Sequence, residues 1–149
     1  MKKAFLIAFI LMSSYSFAQI IKEHVQWSYS VKKINKTEAI ITITAMMDNG
    51  WHIYSQKLKE GGPIKTSFNF QASPQYDLIG ETIESAPQIE YDSIFKMDIG
   101  FFEGIATFQQ KVKLKTQDPI SVKCKLEYSP CSKSVCLIPA TEELDILLD

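Results

Sequence analysis

Residues 120–128, Ile-Ser-Val-Lys-Cys-Lys-Leu-Glu-Tyr, alternate without a fault. Ile120, Val122, Cys124, Leu126 and Tyr128 are apolar, and Ser121, Lys123, Lys125 and Glu127 are polar. Successive side chains of a strand point to opposite faces, so a strict period of two marks a strand with one buried face. Residues 106–114 repeat the pattern, with Ala106, Phe108, Val112 and Leu114 on one side and Lys111 and Lys113 on the other. Residues 38–47, EAIITITAMM, are rich in β-branched side chains, which suit a pleated, packed surface. Shorter candidate strands lie at 25–32, 51–54, 66–70, 76–80 and 142–148. Turn signals separate them: Asp48-Asn49-Gly50, Gly61-Gly62-Pro63, Ser73-Pro74 and Asp118-Pro119. No helical period runs longer than two turns. Short strands with frequent turns and no alternating helices predict an all-β chain, an antiparallel β-sandwich in one domain over residues 19–149.

The first eighteen residues have another character. Lys2 and Lys3 precede the apolar run Ala4 to Met12, and Ser16-Phe17-Ala18 supplies the small residues that a signal peptidase needs. The run is far shorter than the roughly twenty apolar residues that span a bilayer, which disfavours an N-terminal membrane anchor. Residues 1–18 are therefore expected to be a signal peptide cleaved after Ala18. The mature chain is then expected to be exported and soluble, without direct membrane insertion. Its first residue is Gln19, so it has no N-terminal cysteine to carry a lipid.

The formal net charge is −1, and arginine is absent. The lysines are spread along the chain, which argues against a nucleic-acid groove, since phosphate and base reading lean on clustered Lys and Arg. Export would place the three cysteines, Cys124, Cys131 and Cys136, where disulfides persist. An odd number leaves at least one thiol outside any intramolecular pair.

Residues 128–139, Tyr-Ser-Pro-Cys-Ser-Lys-Ser-Val-Cys-Leu-Ile-Pro, read as a hairpin with a four-residue tip, Ser132 to Val135. Cys131 and Cys136 then face each other across its mouth. Opposed strand positions bring Cβ atoms within disulfide reach, most of all at a non-hydrogen-bonded pair. Counted outward from the tip, Cys124 faces about residue 143, on the apolar side of its strand. Cys131 has the opposite parity, and Pro130 is a candidate bulge between them. The expectation is a solvent-side pair plus a core thiol at Cys124, where free cysteine usually sits. Closing a ring this small stabilises by only about 2 kcal/mol, and a hairpin-tip disulfide is open to an attacking thiolate. The spacing alone leaves a structural staple and an exchange site both open.

The stretch Tyr128-x-x-Cys131-x4-Cys136-Leu137-x-Pro139 resembles the active-site hairpin of the periplasmic N-terminal domain of the thiol:disulfide interchange protein DsbD. Three further segments resemble the same family: Gly50-Trp-His-Ile-Tyr-Ser55, Gly62-Pro63-Ile-x-Thr66-x-Phe68-x-Phe70, and Phe102-Glu-Gly-x-Ala-x-Phe108-x-Gln110-x-Val112. They are most similar to its stand-alone versions. The resemblance implies an immunoglobulin-like sandwich and a thiol:disulfide oxidoreductase that needs no cofactor beyond its redox-active disulfide. Its implied partners are a thioredoxin-like electron donor protein and periplasmic disulfide-containing acceptor proteins. Cys136 would form the mixed disulfide and Cys131 would resolve it. An aromatic cap is implied within Tyr91-Asp92-Ser93-Ile94-Phe95, with Phe95 first and Ile94 as its rival. Asp92, His52 and Tyr54 are implied to surround the pair. Where relatives often carry Leu-Pro-Pro, this chain has Leu137-Ile138-Pro139.

Each of these residues has a plainer reading. Trp51 is most simply a core aromatic. His52 is either structural or a proton partner for a thiol. Tyr54 is either packing or part of the site, Asp92 holds a loop by a side-chain-to-backbone bond, and Phe95 belongs to a core. Two rival functions stand beside thiol exchange. One is a non-catalytic sandwich that binds a protein partner and carries a structural disulfide. The other is a copper carrier, which suits soft ligands, but Met46 and Met47 would point to opposite faces and no ligand set converges; no metal site is expected.

Overall fold

The computed structural model describes residues 23–149. Eleven strands follow in chain order: β1 Val25–Lys33, β2 Glu38–Met47, β3 Trp51–Tyr54, β4 Ser67–Phe70, β5 Tyr76–Glu84, β6 Gln88–Asp92, β7 Met97–Glu103, β8 Ile105–Leu114, β9 Ile120–Tyr128, β10 Cys131–Ser132 and β11 Ala140–Leu148. All pair antiparallel, in three sheets ordered β1-β2-β8-β5, β10-β3-β7-β6 and β11-β9-β4. The fold is the all-β antiparallel sandwich that the alternation predicts, and it is immunoglobulin-like, as the resemblance implies.

One apolar cluster joins the sheets. The even-numbered residues of β9 and the alternate set Ala39, Ile41, Ile43, Ala45 and Met47 of β2 all face inward, and Phe108 of β8 lies at the centre, fully buried. Its ring meets Phe68 of β4 at 4.8 Å and Phe102 of β7 at 5.6 Å, so the first sheet is closed against both of the others. Trp27 of β1 adds an edge-on contact with Tyr128 of β9 at 5.1 Å. Burying such rings supplies most of the drive for folding.

Two strands have no counterpart among the sequence expectations. In β6, QIEYD, four of five residues are exposed, and in β7, MDIGFFE, Ile99 and Gly100 are buried in succession. Neither shows a period of two. Strand β5 runs past residue 80 to Glu84 through a register shift between Ile79 and Ile83, where Gly80 takes a φ of 68°. Gln110 of β8 holds this irregularity: its amide donates to the carbonyls of Ile79 and Gly80, and its oxygen accepts from Thr82.

The feature that positions the site is a change of sheet. β9 ends at Tyr128, in the third sheet. After Ser129 and Pro130 the chain pairs as β10 with β3, in the second. It returns to the third sheet at Ala140, opposite Tyr128. Proline has no N–H for a ladder, so Pro130 suits the gap between the two pairings. The expected transport signal, residues 1–18, lies outside the described residues.

Candidate redox site

Cys131 and Cys136 form a disulfide with their Cα atoms 4.0 Å apart. They are opposed across a single antiparallel bridge. On one side Ser132 N donates to Val135 O at 2.7 Å, and on the other Leu137 N donates to Pro130 O at 2.9 Å. Bonds that flank a pair in this way define a non-hydrogen-bonded position, where opposed side chains approach closest. The tip is closed by Ser132, whose hydroxyl accepts from the amides of Ser134 and Val135. Cys124 is the free, buried thiol expected of it. Its partner on β11 is Leu144 rather than residue 143. The one-residue offset arises because four steps lead from Cys136 to Ala140 but only three from Tyr128 to Cys131. The extra residue lies on the exit side, in Leu137-Ile138-Pro139.

The expectation of a solvent-side pair needs correction. Cys136 is exposed, but Cys131 is only 1% exposed. Its burial follows from the change of sheet: Cys131 enters the ladder opposite His52, and Ser132 opposite Trp51. Cys131 and Ile99 are buried apolar residues that stand outside the main core cluster. The Ser129 hydroxyl donates to Leu137 O at 3.1 Å and lies 4.0 Å from Cys131 Sγ.

His52 and Tyr54 stand two apart on β3, on the side that Cys131 shares. His52 Nε2 is 3.3 Å from the Tyr54 hydroxyl, which is 3.9 Å from Cys136 Sγ. On β7, Glu103 is the partner of His52 and Phe101 of Tyr54. The Phe101 ring sits edge-on to His52 at 5.5 Å. Burial pushes the His52 pKa down, against the pull of the Glu103 and Glu90 carboxylates. Burial raises the Tyr54 phenol, and the Asp92 charge raises it further. Burial pushes the Cys124 thiol up to about 12. Desolvation disfavours whichever form is charged, hence the opposite signs.

Asp92 closes the β6–β7 turn: its Oδ1 accepts from the amides of Ile94 at 2.7 Å and Phe95 at 3.0 Å. Phe95 is half-buried there, and Ile94 is 82% exposed. Trp51 is partly buried against the main core and stacks on His24 at 3.7 Å, which fits its plain reading. Met46 is exposed and Met47 buried, on opposite faces of β2. Among the described residues no three His, Cys, Asp or Glu side chains are gathered to hold a metal ion. No helix of the described residues is long and apolar enough to cross a membrane. Ser129, Phe101, Glu103 and Glu90 were missing from the sequence reading of the site. Only Glu103 carried a signal, as the Glu of the Phe-Glu-Gly segment.

The family model for the N-terminal part of the thiol:disulfide interchange protein DsbD matches residues 17–148. The chain belongs to this family. It is a DsbD N-terminal-like domain. The solved N-terminal periplasmic domain of ScsB from Proteus mirabilis superposes with a TM-score of 0.61 at 20% identity, over 84% of this chain and 47% of that one. The chain thus spans about half the length of that ScsB domain. The reduced DsbD N-terminal domain of Neisseria meningitidis gives 0.50 at 16% identity, over 79% and 82% of the two chains. The same Neisseria domain in complex with the PilB N-terminal domain gives 0.52 at 14%, over 80% of each. At these identities the likeness is one of fold. No match is found among curated proteins.

Proposed function

We propose that this DsbD N-terminal-like domain is a periplasmic relay for reducing equivalents, a thiol:disulfide oxidoreductase that works through Cys131 and Cys136. A thioredoxin-like protein reduces the pair, which then reduces disulfides of other exported proteins. The observation that carries this reading is the unequal exposure of the two sulfurs. Exchange needs in-line approach of a thiolate to one sulfur of a disulfide. Cys136 is exposed and Cys131 buried, so the approach is to Cys136.

The steps follow. A donor thiolate attacks Cys136 Sγ, the Cys131–Cys136 bond breaks, and Cys131 leaves with the electron pair and takes a proton. The donor's second thiol, as thiolate, attacks its own sulfur in the mixed disulfide, and Cys136 leaves as thiolate. The donor is now oxidised and the pair reduced. Cys136 then attacks an acceptor disulfide, and Cys131 resolves the product. Asp92, His52 and Tyr54 surround the pair, and Phe95 caps it in the oxidised form. The signal-like residues 1–18 and the periplasmic domain named for the ScsB relative support the compartment. The PilB complex of the Neisseria domain supports a protein partner for the pair.

Mixed-disulfide trapping tests the assignment. With Cys131→Ser, Cys136 is expected to hold a partner as a stable adduct, because no resolving thiol remains. With Cys136→Ser, trapping is expected to be much weaker. Equal trapping by both variants removes the division of roles, and no trapping by either returns the pair to a structural staple.

A further inference from the structure

The Tyr54 hydroxyl has one proton and two neighbours able to accept it, His52 Nε2 at 3.3 Å and Cys136 Sγ at 3.9 Å. A phenol donates once and accepts on its lone pairs, so the proton serves one neighbour at a time. A neutral imidazole can take it at Nε2, and the phenol oxygen then turns lone pairs towards the sulfur. An imidazolium cannot, because both of its ring nitrogens are donors. Its Nε2–H donates to the phenol oxygen, and the O–H is released towards Cys136. A hydrogen bond to a thiolate favours the charged form.

We propose that His52 is a positioning residue that sets the direction of the Tyr54 hydroxyl and, through it, the acidity of Cys136, so that protonating the imidazole turns the hydroxyl towards the sulfur. This rests on the exchange reading of the pair and adds a regulation of its exposed thiol.

The surroundings of His52 set where the switch operates. Tyr54 faces it on its own strand, Glu103 and the Phe101 ring from β7, Glu90 from β6, and Cys131 from β10. The two carboxylates favour the imidazolium, but burial outweighs them. Neutral imidazole therefore prevails at neutral pH, and the change falls on the acid side. Tyr54 keeps its proton throughout, since burial and the Asp92 charge both oppose the phenolate. No proton has to cross from Tyr54 to sulfur. When Cys136 leaves a mixed disulfide with the electron pair of the broken S–S bond, the hydroxyl donates a hydrogen bond, and solvent later supplies the proton.

The test is the pH profile of Cys136 alkylation by iodoacetamide in the fully reduced protein, read by mass spectrometry of the Cys136 peptide from pH 5 to 9. An isolated thiol follows a single ionisation. Here the acid limb is expected to rise above that line. One added hydrogen bond gives about five times more thiolate, reduced to roughly two- to threefold in rate because nucleophilicity falls with basicity. His52→Gln has no titration in this range and should remove the excess. Tyr54→Phe should remove it too, although the imidazole charge stays in place. A single ionisation in the unmodified protein overturns the proposal. So does an excess that survives Tyr54→Phe, which would make the effect a through-space charge. The relay reading is judged separately, by trapping with Cys131→Ser. Loss of trapping with the acid excess intact removes the relay and leaves the switch, and the reverse removes the switch alone.

Discussion

Cys131 lies directly across the ladder from His52, while Cys136 joins the same sheet through a single bridge to Cys131. One sulfur is thereby built into a sheet and the other is left at its margin. The two thiols of the reduced pair meet different surroundings although they are five residues apart.

The third cysteine supplies a control. Burial pushes the Cys124 thiol up to about 12, so at pH 8 only about one molecule in ten thousand carries the thiolate there. In the reduced, native protein Cys136 is expected to alkylate first and Cys124 only on unfolding. Peptide mapping after timed alkylation reads this. Early labelling of Cys124 in the folded state would mean that the β9 face is open.

Phe95 is expected to act as a lid, since it stands in the β6–β7 turn, half-buried, among exposed neighbours. Phe95→Ala should then speed reduction of the oxidised protein by a small dithiol and lower the melting temperature little. Truncating a core phenylalanine typically costs about 3–5 kcal/mol. An unchanged rate with a loss of that size would assign Phe95 to packing.

Asp92 combines two roles that separate by substitution. Its oxygen receives two turn amides, and its charge raises the Tyr54 phenol. Asp92→Asn keeps an acceptor oxygen and removes the charge. It should preserve stability and let the Tyr54 pKa fall towards the ordinary phenol value. Asp92→Ala should do the same to Tyr54 and also lose roughly 1 kcal/mol, the worth of one to two such bonds. Ultraviolet titration of the phenols and urea unfolding measure the two effects. Equal stability losses for both variants would show that the charge, not the acceptor, holds the turn.

How legible these features were in the sequence depended on whether a strand has one wet face. β9 and β8 do, and their alternation located them to within a residue or so. β6 is exposed on nearly every residue, and β7 buries neighbours on both faces, so neither leaves a period to read. The cysteine pairing was legible because a four-residue tip fixes which residues oppose. The burial of Cys131 was not, because it depends on β10 leaving one sheet for another. No local pattern in Ser129-Pro130 says which strand comes next. His52 and Tyr54 share a face by their spacing alone, but that the hydroxyl reaches Cys136 is a matter of tertiary placement.

The bonds that bracket the cysteine pair, Ser132 N to Val135 O and Leu137 N to Pro130 O, involve neither sulfur. Neither bond needs the S–S link, so opening it need not let the two arms drift apart. The Cys131 thiol then stays poised beside Cys136 at a high effective molarity, of the kind that turns a bimolecular encounter into a fast internal step. On the roles proposed for the pair, an adduct on Cys136 is a brief species in the native protein. On the proposed relay, each round of exchange is also mechanically cheap, because these two backbone bonds can hold the hairpin's shape from one partner to the next.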